Sequence, residues 1–458
     1  MPLIKYNELE NSRSIRRHTL LKYALIIVGS GASGLVAAIA GARNKQKVLV
    51  IEKNSQAGKK ILATGNGRCN YTNLYQDAQC YRSDDSEFVR NVLSHFDVQK
   101  TISFFKELGV YPNNINGYIY PNSEQASSLV DLLMIECKRL KVDFRFQEKV
   151  IEVQAPHFTI KTQHTPMSEK KLQRHLRKKG DFNSYDLYKD YYLEDRQEFN
   201  SYHGKKLILA TGGRAQPKLG SDGSGYTIAK LFGHSLNQPL PALVQLESPD
   251  KICQTVAGVR CKARVKVICE KKLIAYEEGE INFTDYGISG IPIMQISRFV
   301  SIALAEEKDI HLDMDLLTDL SDEDLKDELR KRISHNGHKN IHQILIGLLN
   351  DKLSYGLVKR AGIDLKLPSK EISHKELERL VDEIKEFILI IDGTKSFDRA
   401  QVTTGGIPTK EVNPDNMESK LVDNLYLAGE LLDVDGTCGG YNLQWAWSSG
   451  YLAGNNSI

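Results

Sequence analysis

The sequence predicts an α/β fold built around a Rossmann-like domain. Four apolar runs, at 23–28, 47–52, 206–211 and 425–428, have the continuous hydrophobicity of strands buried in a parallel sheet. A glycine-rich turn and a small-residue helix follow the first run, and the second run completes a strand–helix–strand unit of about 30 residues. Between 240 and 296 the chain shows shorter runs rich in valine and isoleucine, which indicates a separate β-rich domain.

The composition excludes several classes of protein. The 458 residues include 61 Lys and Arg against 58 Asp and Glu, and a net charge of +3 predicts neither a nucleic-acid nor an anionic-membrane partner. No apolar stretch approaches the roughly 20 residues of a membrane span. Residues 1–22 contain five basic residues without a following apolar segment, which predicts a basic N-terminal arm rather than a targeting signal.

The seven cysteines predict a reduced, cytoplasmic protein. Their number is odd and no two lie closer than eight residues apart, which excludes a C-x-x-C zinc or redox motif. Cys137 falls on the apolar stripe of a predicted helix at 125–140 and is expected in the core. Cys438 lies in a glycine-rich turn, where packing is favoured over a redox role.

The segments between the apolar runs have distinct patterns. Residues 58–73 are rich in Gly and Asn and predict a functional loop, whereas 86–108 predict a helix. Residues 164–203 are expected as a charged insertion, with a basic first half and an acidic second half. A solvated helical excursion is the favoured interpretation of this insertion, and a protein-partner or membrane-surface arm is the alternative.

These patterns divide the chain into four predicted parts. They are a basic arm at 1–22, a dinucleotide-binding domain at 23–235 and 400–458, a β-rich substrate domain at 236–318 and 389–399, and a helical subdomain at 319–388.

The strongest motif is the glycine-rich turn after the first strand. Gly29 permits the turn, Gly31 allows a pyrophosphate to approach the backbone, and Gly34 allows the helix to pack on the strands. The N-terminus of that helix attracts an anion. Glu52 ends the second strand, where a ribose hydroxyl is usually bound, so the unit predicts dinucleotide binding.

Other clusters give weaker signals. The second glycine cluster at 220–225 has no strand before it and is interpreted as a loop, so one dinucleotide site is expected. The histidines form no H-E-x-x-H motif, and His311, Asp313 and Asp315 alternate along a predicted strand without a fourth ligand. No metal is therefore predicted.

Four segments resemble a bacterial flavoprotein family with one bound FAD, which includes aminoacetone oxidase and 3-dehydro-bile-acid reductases. They are GKKILATGNGRCN at 58–70, LILATGG at 207–213, TTGGI at 403–407 and NLYLAGELLDVDGTCGGYNLQWAWSSG at 424–450. The resemblance implies an FAD-binding domain of the glutathione-reductase type. The basic arm and the insertion depart from the family pattern.

The resemblance also implies which residues border the cofactor. The residues expected to bind FAD are Gly29, Gly31, Ala32, Ser33, Gly34, Glu52, Lys53, Lys59, Lys60, Asn66, Gly67, Arg68, Asn70, Thr211, Gly212, Gly429, Glu430, Gly440, Tyr441, Asn442 and Leu443. Three solvated cations are the alternative interpretation of Lys59, Lys60 and Arg68.

The predicted function is that of an FAD-dependent oxidoreductase acting on a small molecule. NAD(P)H is expected as a transient co-substrate whose hydride passes through the flavin to a small organic acceptor such as a steroid-like enone. A flavin amine oxidase using O₂ and an FAD-binding sensor without turnover are the alternatives. Arg68, Tyr286 and Tyr441 are weak candidates for a catalytic acid.

Overall fold

The computed structural model describes residues 21–165, 188, 191 and 198–457, so residues 1–20 of the predicted basic arm and most of the predicted insertion lie outside the described residues. The last two residues of the predicted arm, Leu21 and Lys22, belong to the first strand instead. In this part of the chain the strands are, in order, β1 (Leu21–Val28), β2 (Val48–Glu52), β3 (Thr72–Asn73), β4 (Tyr81–Arg82), β5 (Pro112–Ile115), β6 (Tyr118–Pro121), β7 (Asp143–Phe146), β8 (Glu148–Gln154), β9 (Phe158–His164), β10 (Phe199–Leu209), β11 (Asn237–Ala242), β12 (Leu246–Glu247), β13 (Arg260–Cys269), β14 (Lys272–Thr284), β15 (Gly287–Gly290), β16 (Ile310–Asp315), β17 (Phe387–Ile390), β18 (Gly393–Thr394), β19 (Val402–Gly406), β20 (Leu425–Leu427) and β21 (Asp435–Gly436).

The helices of the same residues connect and cover these strands. They are α1 (Ala32–Arg43), α2 (Lys59–Ala63), α3 (Ser86–His95), α4 (Val98–Glu107), α5 (Ala126–Arg139), α6 (Ser224–Leu231), α7 (Ile252–Thr255), α8 (Ile291–Ala305), α9 (Asp322–Asn336), α10 (Ile341–Leu345), α11 (Asp351–Arg360), α12 (His374–Lys385) and α13 (Tyr441–Asn456). Short 3-10 turns lie at Thr64–Gly67, Ala78–Cys80, Pro217–Leu219, Ser369–Glu371, Thr409–Glu411 and Gly429–Leu431.

The first large sheet has the strand order β7-β2-β1-β10-β9-β8, with β20 also paired to β10. Its strands β7, β2, β1, β10 and β20 run parallel, and Val28 lies opposite both Ile51 and Leu209. The long strand β10 pairs antiparallel with β9 through its first half and parallel with β20 through its last three residues. Parallel strands present their carboxyl ends at one edge, so the turns after β1, β2, β10 and β20 meet there.

The two ends of the described chain pack on each other beside this sheet. Helix α13 lies against α1, and a Cβ placed on Gly450 or Gly454 would come within 2.3 Å of the backbone oxygen of Ser33 or Ala37. The close approach requires glycine at both positions because any side chain would overlap backbone atoms. This packing holds the final helix near the glycine-rich turn at the start of α1.

The second large sheet is antiparallel, with the order β17-β16-β13-β14-β15-β12-β18. Helices α8 to α12 share one apolar core with it, which extends from Leu246 to Ile391. The core of the first sheet is a separate cluster that runs from Tyr23 to Ala229 and from Ile407 to Ala453.

Several local predictions differ from the structure. Residues 58–73 contain helix α2 and a 3-10 turn rather than only a loop, because α2 places Ile61 in the core. The helix predicted at 86–108 is interrupted at Phe96, and Asp97 caps the second helix through Lys100 N. The β pattern predicted up to residue 296 ends at Gly290, where α8 begins with Pro292 in its first turn.

Candidate functional site

The glycine-rich turn after β1 forms a cradle at the carboxyl edge of the sheet. A Cβ on Gly34 would lie 2.0 Å from Gly29 O, and a Cβ on Gly29 would lie 2.4 Å from Ala210 O, so both glycines are required by the protein's own packing. A Cβ on Gly31 would meet no atom within 4 Å. Packing within the protein therefore requires glycine at positions 29 and 34. At position 31 the open space leaves room for a ligand to approach the backbone.

Helix α1 begins at this cradle. Gly31 is its N-cap residue, and no described side chain caps the helix, so the first-turn N–H groups of Ala32 and Ser33 have no side-chain acceptor. Free N–H groups and the positive end of the helix dipole are the standard phosphate-binding arrangement. The cradle fits the pyrophosphate of a dinucleotide.

Glu52 ends β2 beside the cradle and is only 8% exposed. Its Oε2 accepts hydrogen bonds from Ser30 N at 2.9 Å and Ser30 Oγ at 2.8 Å, and its Oε1 accepts two from Asn54 at 2.8 Å. These bonds fix the carboxylate at the position where a ribose hydroxyl is usually recognised. Lys59 Nζ donates to Asn54 Oδ1 at 3.0 Å, so one lysine predicted to contact the cofactor also braces this corner.

The glycine cluster at 220–225, predicted to be only a loop, also lies at this edge. A Cβ on Gly220 would be 2.6 Å from Asn54 Nδ2, and Lys53 Nζ forms an ion pair with Asp222 Oδ2 at 2.6 Å. Helix α6 begins within the cluster at Ser224. The cluster at 220–225 therefore borders the corner that holds Glu52. The sequence of the cluster does not predict this position.

Three distant segments converge next to the cradle. Thr403 Oγ1 accepts hydrogen bonds from Arg214 N at 2.7 Å and Ala215 N at 3.0 Å, and Thr403 N donates to Glu430 Oε1 at 2.8 Å. Lys60 Nζ lies 2.6 Å from Glu430 Oε2. Glu430 thus joins α2, β19 and the turn after β20, and Lys60 is not a free cation.

A second polar corner lies where the 3-10 turn at Thr64–Gly67 approaches the start of α13. Both polar atoms of the Asn70 amide are buried, and neither has a hydrogen-bond partner in the described residues. A Cβ on Gly440 would lie 2.1 Å from Asn70 Oδ1. Unpaired buried amides are rare, and one aimed at this corner fits recognition of a polar ring edge by a ligand.

Helix α13 begins at that corner. Gly440 is its N-cap with a φ of 93°, and no described side chain caps it. Asn442 instead fastens the preceding turn, since its Nδ2 donates to Gly436 O and its Oδ1 accepts from Gly436 N, each at 2.8 Å. The helix dipole therefore points into the corner with its positive end.

The donor set at the two corners fits FAD. The cradle suits the pyrophosphate, and the Asn70 corner suits the isoalloxazine ring at the opposite end of an extended cofactor. Between them Gly429 takes a φ of 74°, and its N–H donates to Ser449 Oγ at 2.9 Å.

Comparison with known proteins gives the family. A model of the HI0933-like protein Rossmann domain matches residues 23–176 and 168–456. The chain is 40% identical over 432 residues to the 3-dehydro-bile acid delta(4,6)-reductase of Clostridium scindens, covering 93% of this chain and 97% of that protein. The chain belongs to the HI0933-like family.

Two further likenesses extend the comparison. The ribosomal RNA dihydrouridine synthase of Haemophilus influenzae is 30% identical over 429 residues, covering 93% of this chain and 96% of that protein. The solved 3-ketosteroid delta1-dehydrogenase of Sterolibacterium denitrificans is 11% identical, with a TM-score of 0.45 and coverage of 95% of this chain and 99% of that chain. The family match confirms the predicted resemblance and the Rossmann-type fold class, and this HI0933-like protein is an FAD-dependent oxidoreductase.

The three candidates for a catalytic acid lie in different places. Tyr441 begins α13, and burial raises the pKa of its phenol, which also bonds Cys80. Arg68 pairs with Glu124 at 2.7 Å near the Asn70 corner. Tyr286 lies in the turn between β14 and β15 of the second sheet, with Lys395 Nζ 3.7 Å from its ring centroid.

A buried charged group lies between the two cores. Arg298 Nε on α8 is 3.0 Å from Asp435 Oδ1 and donates a hydrogen bond to Thr404 Oγ1 at 2.8 Å. Burial raises the pKa of Asp435 to about 6, against the opposing effect of Arg298. The nearby Cys438 N donates to Gln295 Oε1 at 2.7 Å, and burial raises the pKa of the Cys438 thiol to about 12.

The described part of the chain contains neither a candidate metal site nor a candidate membrane span. Within 21–165, 188, 191 and 198–457, no group of three His, Cys, Asp or Glu side chains has the arrangement of a metal site. Asp313 and Asp315 instead pair with Lys266 and Lys385. No described helix combines the length and apolar character needed to cross a membrane.

The sequence did not single out Asn54 or Thr403 individually. Asn54, two positions after Glu52, belongs to no recognisable motif, and Thr403 stands in the sequence only as part of the glycine-rich run at 403–407. Their role depends on the approach of segments about 190 residues apart in the case of Thr403 and Arg214, which no local pattern encodes.

Proposed function

We propose that this protein reduces a carbon–carbon double bond conjugated to a carbonyl, using hydride from NAD(P)H that passes through FAD. The observation that carries the proposal is the pair of relatives that match over 93% of the chain. Their names describe a delta(4,6)-reductase of a 3-oxo compound and an enzyme that makes dihydrouridine. Both reactions saturate a double bond next to a carbonyl.

The cradle would hold the ADP half of FAD. Gly29, Gly31 and Gly34 would shape the pyrophosphate site with the N–H groups of Ala32 and Ser33, and Glu52 would bind the adenosine ribose. Lys53, Thr211 and Gly212 would border this half. The ion pair of Lys53 with Asp222 closes the adjoining loop against β2.

The middle and the ring end would be held by the other segments. Gly429 and Glu430 would face the ribityl phosphate with Lys59 and Lys60, because Glu430 already orients Lys60. Asn66, Gly67, Arg68 and Asn70 would border one side of the isoalloxazine. Gly440, Tyr441, Asn442 and Leu443 would border the other, where the dipole of α13 stabilises negative charge on the pyrimidine edge.

FAD supplies hydride transfer when bound, and the chain must supply the proton. Tyr441 is the candidate that the geometry favours among the three, because it adjoins Gly440 at the ring corner and its phenol carries a proton at neutral pH. Tyr286 lies in the second sheet and makes its described contacts there.

The described residues contain one glycine fingerprint after a strand, so the nicotinamide would share the substrate cleft rather than occupy a second Rossmann site. Anaerobic addition of NADH or NADPH to the purified holoenzyme tests the route. We expect the flavin absorbance to bleach with at least one of them. Bleaching by a primary amine and by neither nicotinamide would replace the reductase with an oxidase.

A second candidate substrate is uridine in ribosomal RNA, favoured by the 30% identity to the Haemophilus influenzae synthase. The net charge of +3 does not by itself indicate an RNA interface, although 1–22 and the first half of 164–203 contain the clustered Lys and Arg that phosphate contacts need. Incubation of the reduced enzyme with unmodified ribosomal RNA, followed by nucleoside analysis, distinguishes the two. Dihydrouridine formation would support the RNA substrate.

A further inference from the structure

A small three-stranded sheet carries the exposed Tyr118 and the half-buried Tyr120 next to the proposed ring site. Its order is β3-β6-β5, and Tyr118 of β6 lies opposite Asn73 on one side and Ile115 on the other. Side chains alternate along a strand, so Tyr118, Tyr120 and Ile115 share one face. We call these three residues the tyrosine face. Tyr118 is 42% exposed and Ile115 is 38% exposed, whereas Ile119 on the opposite face is buried.

One end of the tyrosine face touches the turn that precedes α13. A Cβ on Gly439 would lie 2.8 Å from Tyr118 Cε1 and 3.3 Å from Tyr441 Cε2, so both phenol rings flank this glycine. Asn73 Nδ2 donates to Gly439 O at 3.2 Å and ties the turn to β3. Tyr118 is therefore held beside the residues proposed to meet the isoalloxazine ring.

The other end of the tyrosine face reaches the opposite border of the proposed ring site. The Arg68 guanidinium lies 5.0 Å from the ring centroid of Tyr120, and its charge is paired with Glu124. The face thus spans the distance between the segments 66–70 and 439–443. Exposed apolar side chains are ordinary when scattered, but an aromatic row that bridges two segments of one site is a candidate substrate wall.

We propose that the tyrosine face binds the apolar ring system of the substrate and that Tyr118 determines specificity for fused-ring enones. This inference rests on the proposed function and names its substrate class. Residues two apart on a strand are separated by about 7 Å, which is a span that a fused ring system covers and a single six-membered ring does not. The Arg68 guanidinium beside Tyr120 is paired with Glu124, so the charge next to this face is already balanced by a carboxylate.

The test compares Y118A, Y118F and the wild-type holoenzyme. A matched control is Y276A, because Tyr276 is an exposed strand tyrosine, 68% exposed, in the second sheet. Equilibrium binding of a 3-oxo-4,6-diene steroid to the oxidised enzyme is followed by the change in the flavin spectrum, and KM and kcat are then measured for that steroid and for 2-cyclohexen-1-one.

We expect Y118A to raise the steroid Kd by about tenfold, which corresponds to the loss of one stacked aromatic contact and its buried area. The loss in kcat/KM should be larger for the steroid than for cyclohexenone and should arise in KM. Y118F should restore steroid binding because it keeps the ring, and Y276A should match the wild type.

The inference would be overturned if the wild type did not bind the steroid, or if Y118A had an equal effect on both probes. Tyr118-dependent binding of a uridine-containing RNA fragment in place of the steroid would also overturn it. Failure of the proposed function would give a different result from failure of this inference. In that case the oxidised enzyme would still bind the steroid in a Tyr118-dependent manner, but neither enone would reoxidise the reduced flavin.

Discussion

Replacing Gly31 by alanine should separate cofactor binding from folding. Gly31 has a φ of −77° and a ψ of −165°, which an alanine adopts without strain, and its added Cβ would meet no protein atom within 4 Å. Alanine lowers the conformational entropy of the unfolded chain relative to glycine, which stabilises the protein by up to about 1 kcal/mol. Alanine is also a poorer N-cap residue than glycine, which destabilises helix α1 by up to about 1 kcal/mol. The stability of the FAD-free G31A protein should therefore stay within about 1 kcal/mol of the wild type.

FAD binding should respond very differently. The methyl group would stand where the pyrophosphate approaches the backbone, and the loss of one hydrogen bond to a charged phosphate costs about 1.5–3 kcal/mol. Because 1.4 kcal/mol is a factor of ten, the Kd for FAD should rise about 10- to 100-fold. Urea unfolding of the FAD-free protein and a titration with FAD measure the two quantities.

The matched control is G34A in the same turn. A Cβ there would lie 2.0 Å from Gly29 O, and this overlap with backbone should destabilise the FAD-free protein by about 1–3 kcal/mol or more. The reasoning is refuted if G31A destabilises the FAD-free protein as much as G34A does, or if G31A binds FAD as tightly as the wild type.

Other predictions concern the end of the chain. Trp445 Nε1 donates to Gly429 O at 3.1 Å beside the proposed ribityl phosphate site, so removal of FAD should raise tryptophan fluorescence markedly. Because the Cys438 thiol has its pKa raised to about 12 and stays protonated, C438S should leave the anaerobic rate of flavin reduction unchanged. For Asp435 the native pKa of about 6 exceeds the ordinary 3.8, so its stabilising contribution is complete below pH 4 and is lost as the pH rises through 6. The free energy of unfolding of the wild type should fall relative to D435N by up to about 3 kcal/mol over that window, measured by urea unfolding.

Each of these predictions has a contrary outcome. Unchanged tryptophan emission would contradict the placement of FAD beside α13. A C438S enzyme with slowed flavin reduction would give the thiol a redox role. For Asp435, the exposed Asp84 supplies the control variant D84N. A wild-type curve that rises relative to D435N between pH 4 and 6 would mean that the Arg298 pair outweighs the burial of the carboxyl.

The parts of the fold that follow from local chemistry were predictable. The apolar runs of β1, β2, β10 and β20 appear where continuous hydrophobicity placed them, because strand segments buried on both faces consist mainly of apolar residues. The same is true of the stripe that buries Cys137 in α5. The turn at Gly29 was predictable because backbone atoms lie so close to Gly29 and Gly34 that only glycine fits at these two positions.

The remaining features depend on contacts between distant segments. The position of Thr403 between Arg214 and Glu430 arises from the pairing of β19 and the approach of the turn after β20, so no window of sequence contains it. Helix α2 was missed because its five residues are too few for a periodic pattern. The sequence did not predict the tyrosine face, because its place beside the ring site follows from the contact of Tyr118 with Gly439. These two residues are more than 300 positions apart in the chain.

The most direct test is an anaerobic experiment in two steps on the purified holoenzyme. NADPH or NADH is added until the flavin absorbance is bleached, and a 3-oxo-4,6-diene steroid is then added in the absence of O₂. The account predicts that the oxidised flavin spectrum returns as the steroid loses one double bond. A flavin that stays reduced with the steroid and recovers only when O₂ is admitted would contradict it.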